Sequence, residues 1–309
     1  MRLNALVACT TALLALASGA ARARAQGTPA VAGPPLGVTG TVRFHGDFPS
    51  RYVAKRNVEV WLPPGYEKSG VARYPVLYMH DGQNVFAPAT SYARVDWGVD
   101  ETMTELIAQH RVRPAIVVAV WNTPARFAEY MPKKALTSEK DIPAGIAGMP
   151  PLQGPILSDD YLRFLVEELK PFIDSTYRTR TGPEDTFIMG SSMGGLISAY
   201  AVTEYPDVFG GAACLSTHWP AANGAMIEYM KKALPRATAL PKHRFWFDHG
   251  TATLDSLYAP YQQQADQVMR AAGYVQGKDW VTKVFPGADH SERAWRVRVA
   301  QPLVFLLGT

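Results

Sequence analysis

The chain has two cysteines in 309 residues and seven histidines. Cys9 lies in a segment read below as a leader, so Cys214 would stand alone in the mature protein. An internal disulfide is thereby excluded. Cys214 sits in the apolar run Gly211 to Leu215, the setting of a buried structural thiol and not of a nucleophile. The apolar stretch from Ala5 to Ala17 is too short to span a bilayer as a permanent helix, so no lasting membrane anchor is expected there. Charge surplus is also missing. Without Arg2, Arg22 and Arg24 the formal charge falls from +4 to +1, so nucleic acid is not suggested as a partner. There is no internal repeat, and no linker divides the chain after residue 38.

The N-terminus carries Arg2, the apolar stretch and then Ala23-Arg24-Ala25, which together read as a secretory signal peptide over residues 1–25. Leu6-Val7-Ala8-Cys9 looks like a lipoprotein box, but acylated Cys9 would leave only eight residues of signal, so lipidation is set aside. A periplasmic or secreted location follows. Residues 26–38 are rich in Gly, Pro and Ala and are expected to form a flexible tail, followed by one domain over residues 39–309.

Within that domain, Thr39 to Phe44 and Val58 to Leu62 alternate as antiparallel strands do. From Tyr74 onward, short continuous apolar runs alternate with helical patterns. The strands fall at 74–79, 115–120, 186–189, 211–215, 244–247 and 280–285. Helices are expected at Trp97 to Ala108, Tyr161 to Ile173, after Ser192, at Ala225 to Ala233, at Ala259 to Ala272 and from Glu292 onward. This pattern predicts an α/β fold, a doubly wound and mainly parallel sheet with helices on both faces, which binds ligands at the carboxyl ends of its strands. Residues 131–157 contain five prolines and no sustained period, and are expected to be an irregular excursion, either a lid or a surface insertion.

The chemistry centres on Gly190-Ser191-Ser192-Met193-Gly194, a GxSxG pattern between a strand and a helix. In that setting Ser192 occupies a strained turn. Gly190 and Gly194 are expected to let strand and helix pass closely, with Gly195 adding clearance. Ser192 then stands at a helix N-terminus, and the N–H of Met193 becomes an oxyanion donor.

A serine hydroxyl needs a base, and the base needs a carboxylate to fix its tautomer. His290 follows the last strand in Phe285-Pro286-Gly287-Ala288-Asp289-His290 and is the expected base. The acid should follow the penultimate strand, where Asp255 in the loop is preferred and Asp248, still within the strand, is the alternative. The second oxyanion donor is expected from Gln83 or Gly82, after the strand that ends at Met79. No cofactor or metal is called for. Trp97, Arg126, His218 and Trp219 are candidates for the substrate pocket, with Arg126 either holding an anionic group or pairing with Glu129.

With these stretches in view, the chain resembles the putative-esterase branch of the α/β-hydrolases, the group of esterase D and enterochelin esterase. The resemblance is carried by Arg56 to Tyr66, His80 to Phe86, Arg126 through Glu129-Tyr130, Phe164 to Asp174 with Tyr177-Arg178-Thr179, Gly190 to Gly195 and Gly287 to Trp295. It implies Ser192 as nucleophile, His290 as base, an acid in the Gly250 to Asp255 loop and donors at Met193 and near Gln83. It also implies a small-molecule or carbohydrate-linked ester as substrate, such as a feruloyl, acetyl or siderophore ester.

Three other readings use the same residues. An acyltransferase would employ the same triad with an alcohol acceptor, and a binding protein would keep the fold without turnover. A metal-dependent hydrolase would draw on His80-Asp81, Asp248-His249 and Asp289-His290, all expected at strand ends.

Overall fold

The structure, a computed structural model, describes residues 37–137 and 154–309. Their strands are β1 (Thr41–Phe48), β2 (Arg56–Leu62), β3 (Val76–His80), β4 (Ile116–Val120), β5 (Thr186–Ser191), β6 (Gly211–Leu215), β7 (Arg244–Gly250) and β8 (Trp280–Phe285). They form one sheet in the order β1-β2-β4-β3-β5-β6-β7-β8. β2 runs antiparallel to β1 and to β4, and the pairs from β4 to β8 are parallel.

The helices are α1 (Val99–Ala108), α2 (Arg126–Tyr130), α3 (Ser158–Arg163), α4 (Lys170–Thr176), α5 (Met193–Glu204), α6 (Ala225–Ala233), α7 (Ala259–Ala271), α8 (Glu292–Arg298) and α9 (Ala300–Leu307). Every residue of β3 through β6 is buried, because helices cover both faces of the sheet there. On one face Val76, Tyr78, Val118 and Ile188 belong to a core shared with Leu162, Leu196, Met226 and Met269. On the other, Leu77, Met79, Val117 and Phe187 share a core with Met103, Leu106, Trp295 and Leu303. The alternation along each strand thus sorts side chains between two cores. The result is the α/β-hydrolase fold.

After β3 the chain moves to β4 on one side and then returns to β5 on the other. The β3–β5 boundary is therefore the switch point of the sheet, the place where open α/β sheets take ligands. The turn after His80 and the turn at Ser192 follow the two strands that flank it.

Three expectations are corrected in detail. The helix expected at 161–173 runs from Ser158 to Thr176 through a π-helical stretch, Phe164–Leu169, between α3 and α4. The final helix is two, because Pro302 near the start of α9 has no N–H to give the preceding turn. β3 begins at Val76 and includes His80.

The signal segment 1–25 lies outside the described residues, as does all of the 26–38 tail except Gly37 and Val38. Residues 138–153 of the excursion lie outside them too. Its two flanks are tied to the body: the Lys133 amide donates to Ser158 Oγ at 2.9 Å, and the Leu157 amide donates to the Ala128 carbonyl at 2.8 Å. Among the described residues no helix is long and apolar enough to cross a membrane.

Candidate active site

Ser192 joins β5 to α5 with φ 58° and ψ −122°, a backbone region that a side chain occupies only under strain. Such strain costs on the order of 1–3 kcal/mol and is held by the surrounding structure. Here the Ser192 amide donates to the Leu215 carbonyl at 2.9 Å, and its carbonyl accepts from the His218 amide at 3.1 Å. The glycines around it differ in their demands. A Cβ on Gly190 would lie 2.7 Å from the Gly194 backbone, whereas one on Gly194 would lie 3.4 Å from Asp81 Oδ2 and His80 Cβ, an ordinary contact. On Gly195 it would meet Thr217, Cys214 and Leu215 at 3.2–3.3 Å. The close approach is thus made at Gly190 and Gly195, and Gly194 is less constrained than expected. The first amides of α5, beginning with Met193, have no acceptor within the helix and carry the positive end of its dipole.

His290 Nδ1 lies 2.6 Å from Asp255 Oδ1. Two loops 35 residues apart meet to make this contact, and backbone bonds hold them together. The amides of Thr251 and Ala252 both donate to the Ala288 carbonyl at 3.0 Å, and the His290 amide donates to Thr253 Oγ1 at 2.9 Å. Gly250 allows the approach, since a Cβ there would sit 2.1 Å from the Ala288 oxygen.

Asp255 is 1% exposed, and its other oxygen accepts from Ser216 Oγ at 2.6 Å and from the Gly250 amide at 2.5 Å. Burial pushes its carboxyl up, but the hydrogen bonds from His290, Ser216 and Gly250 outweigh it and hold the group below the usual carboxylate value. Asp255 is therefore a fixed anion on His290, able to set the tautomer and to steady a positive imidazole.

Asp248 is also buried but points elsewhere. It is paired with Arg298 at 2.8 Å and accepts from Trp246 Nε1 at 2.7 Å, both within the interior. Burial pushes its carboxyl up while Arg298 opposes the shift. Arg298 also donates to Ser216 Oγ at 2.8 Å, and Trp295 Nε1 donates to the same oxygen at 3.0 Å. Ser216 thus links the Asp248–Arg298 pair to Asp255. No local sequence pattern marks Ser216 or Arg298, because their partners come from distant elements.

The turn after β3 abuts the elbow. Asp81 there has φ 56° and binds Arg126 through both oxygens, at 2.6 and 2.7 Å, while Asn122 Nδ2 adds a third bond at 2.6 Å. Burial raises the Asp81 carboxyl, but Arg126 and Asn122 bring it below its ordinary value overall. Gly82 is required at its position, since a Cβ would lie 2.5–2.7 Å from the backbone of Ala119 and Val120. The Gln83 side chain accepts from the Asn122 amide at 3.1 Å, which fixes the start of the turn's short 3₁₀ segment, Gly82–Asn84. Arg126 does not pair with Glu129. Glu129 is engaged by Arg56 at 2.6 and 3.0 Å in a fully buried ion pair.

Of the other pocket candidates, Trp97 is 3% exposed and packs on Trp295 with ring centroids 5.6 Å apart. Trp219 and His218 are each 0% exposed. Trp219 donates to Gln262 Oε1 at 2.8 Å, and His218 Nδ1 lies 2.7 Å from the Tyr258 hydroxyl. These three side chains face the interior. Nor do the three acid–imidazole pairs converge: His80 Nδ1 contacts Tyr161, Asp248 pairs with Arg298, and His249 Nδ1 contacts the Gly250 carbonyl. Among the described residues, the acids spaced to share an ion are Asp96, Asp100 and Glu101, with Arg296 bound to Asp96 and Glu101.

A family model described as "Putative esterase" matches residues 50–306. The uncharacterized protein YbbA of Bacillus subtilis is 24% identical over 175 residues, which cover 56% of this chain and 62% of that protein. The chain thus spans less than two thirds of that curated relative's length. Among solved structures, a ferulic acid esterase superposes with a TM-score of 0.62 at 19% identity, over 87% of this chain and 98% of that one. The enterobactin esterase FES of Shigella flexneri gives 0.60 at 18% identity, over 87% and 61%. At such identities the two structures share the fold with this chain.

Proposed function

Starting from the fact that this chain belongs to the putative esterase family, we propose that it is a serine carboxylic-ester hydrolase working through an acyl-enzyme. The observation that carries this reading is the 2.6 Å contact between His290 Nδ1 and the buried Asp255, together with a serine held in strained backbone geometry at the β5–α5 turn. Ser192 Oγ attacks the ester carbonyl as His290 Nε2 takes its proton, and Asp255 steadies the imidazolium. The tetrahedral oxyanion is received by the Met193 amide and by the amide of Gln83 or Gly82. Collapse expels the alcohol with the proton from His290. Water then repeats the sequence to free the acid and restore Ser192.

Substrates of two kinds fit the family. The neighbours named as a ferulic acid esterase and an enterobactin esterase suggest a feruloyl ester or a siderophore ester. The leader-like residues 1–25 suggest that the enzyme acts in the periplasm or outside the cell.

Intact mass spectrometry after an organophosphonate probe tests the mechanism. One adduct on wild type, absent from Ser192→Ala and insensitive to chelator, is expected. Unlabelled but folded wild type would overturn it. Hydrolysis of a feruloyl and an acetyl ester, run with and without acceptor alcohols, separates hydrolysis from acyl transfer.

A further inference from the structure

The turn after β3 is fastened to the start of α1: the Trp97 amide donates to the Asn84 carbonyl at 2.8 Å and the Val99 amide to the Val85 carbonyl at 3.3 Å. Asp96, Asp100 and Glu101 gather there. Each offers one carboxylate oxygen, and the three oxygens lie within 4.8 Å of one another. Asp96 is 3% and Asp100 0% exposed, while the Glu101 side chain is 40% exposed and gives the cluster a side toward solvent. Asp96 accepts from Arg296 at 2.7 Å and from the Gly98 amide at 2.9 Å. Asp100 Oδ2 accepts from the Thr39 amide at 2.6 Å, and Glu101 Oε1 accepts from Arg296 at 3.2 Å. Asp100 Oδ1 and Glu101 Oε2 are buried with no hydrogen-bond partner.

Acids in the first turn of a helix complement its dipole, which explains why Asp100 and Glu101 stand in α1 but not why one oxygen of each is left without a donor. A buried carboxylate oxygen in that state is costly. Three carboxylates also share the single guanidinium of Arg296, so one positive charge faces three negative ones. A proton held between two of the acids would still leave a negative excess and would bridge only two oxygens. A divalent cation brings the sum to zero and takes all three. Two oxygens bound to one calcium ion at about 2.3–2.6 Å stand no more than about 5 Å apart, and the spacing of the three meets that limit. Carboxylates suit hard cations, and calcium accepts irregular oxygen shells where magnesium demands a near-ideal octahedron.

We propose that Asp96, Asp100 and Glu101 bind a divalent cation of the calcium class, which takes up Asp100 Oδ1 and Glu101 Oε2 and completes its shell with water from the Glu101 side. Its role is structural. Arg296 ties the cluster to α8, where Trp295 packs on Trp97 with centroids 5.6 Å apart and stands edge-on to His290 at 5.1 Å. The cation clamps α1 to α8 and touches none of the reacting atoms, so this site is independent of the serine mechanism.

The full chain, stripped with EGTA and desalted at about pH 8, where free carboxyls are ionised, is titrated with CaCl2 and in parallel with MgCl2. Calorimetry and thermal melts read the outcome. Calcium is expected to bind with a Kd of about 10⁻⁴–10⁻³ M and, at tenfold Kd, to raise the thermal midpoint by about 3 °C, with magnesium weaker. Asp100→Asn and Glu101→Gln should each weaken calcium binding by about 10-fold or more. Labelling of Ser192 by the organophosphonate at room temperature should be the same with and without EGTA. The inference is overturned if about 10 mM calcium leaves the wild-type midpoint unchanged, or if both variants respond as wild type does. A wild type that ignores calcium while Asp100→Asn is the more stable protein also overturns it, and means that the acids share a proton. Should Asp100→Asn not fold, the half-exposed Glu101→Gln decides the matter.

Discussion

Asp255 reaches across 35 residues of sequence to hold His290 Nδ1 at 2.6 Å, while its second oxygen is fastened by Ser216 and the Gly250 amide. Replacing the carboxylate by an amide should leave the loops in place but present the wrong partner to the imidazole. Asp255→Asn is expected to cut kcat by roughly 10⁴-fold with little change in melting temperature. Steady-state kinetics beside a thermal melt checks both halves.

Asp248→Asn should show the opposite signature. Its loss strands Arg298 in the interior with only Asp255, 4.0 Å away, as counter-charge. Breaking a buried pair costs about 3–5 kcal/mol, so chemical denaturation should register a large loss while kcat stays within about 10-fold of wild type. If Asp248→Asn were the inactive but stable variant, the roles assigned to the two aspartates would have to be exchanged.

Acid sensitivity should arise well above the carboxylate range. Burial pushes His80 down to about 3 and His218 down to about 4, from an ordinary value of 6.5. Asp81 opposes the shift at His80, where Arg126 and Arg56 reinforce it. At His218, Asp255 opposes it and His290 and Arg126 reinforce it. Between pH 6.5 and about 4 the unfolded chain binds protons that the folded one refuses, so stability is full above pH 6.5 and falls as the pH drops. Each histidine contributes a slope of up to about 1.4 kcal/mol per pH unit. Unfolding free energies measured from pH 7 to pH 4.5 should flatten by about that amount in His80→Asn and in His218→Asn.

The elbow glycines offer a steric test. Gly190→Ala would force a Cβ to 2.7 Å from the Gly194 backbone, and a loss of at least about 1–3 kcal/mol together with activity is expected. Gly194→Ala meets its neighbours at 3.4 Å and should remain folded and measurably active. Equal damage from both would contradict the packing described for the elbow.

Arg126 is bound through two nitrogens to Asp81, beside the proposed oxyanion donors. Arg126→Gln should therefore lower kcat for neutral and anionic esters alike, by about 10-fold, as the turn loosens. A rise in KM confined to anionic esters would instead mean that Arg126 binds substrate directly.

Much of this molecule was legible in one dimension. Continuous apolar runs bounded by glycine or proline marked the central strands, because a strand covered on both faces has no polar side to show. The GxSxG pattern between such a run and a helix located the strained serine, since only small flanking residues permit that turn. The positions of Asp255 and His290 after the last two parallel strands placed them at the carboxyl edge of the sheet. These are local signals with a fixed spacing.

Tertiary structure decided what spacing could not. Asp248 and Asp255 are seven residues apart, with the same chemistry, and only the arrival of Arg298 from α8 makes one a structural ion pair and leaves the other for His290. Arg126 had an acid three residues away, but Arg56 on β2 takes that acid and Asp81 takes Arg126. Trp97 and Trp219 fit a pocket and a core equally well in sequence, and packing turned both inward. The reason is common to all of these: a charge or a ring takes its role from neighbours brought by other strands and helices, and the sequence holds no local record of who those neighbours are.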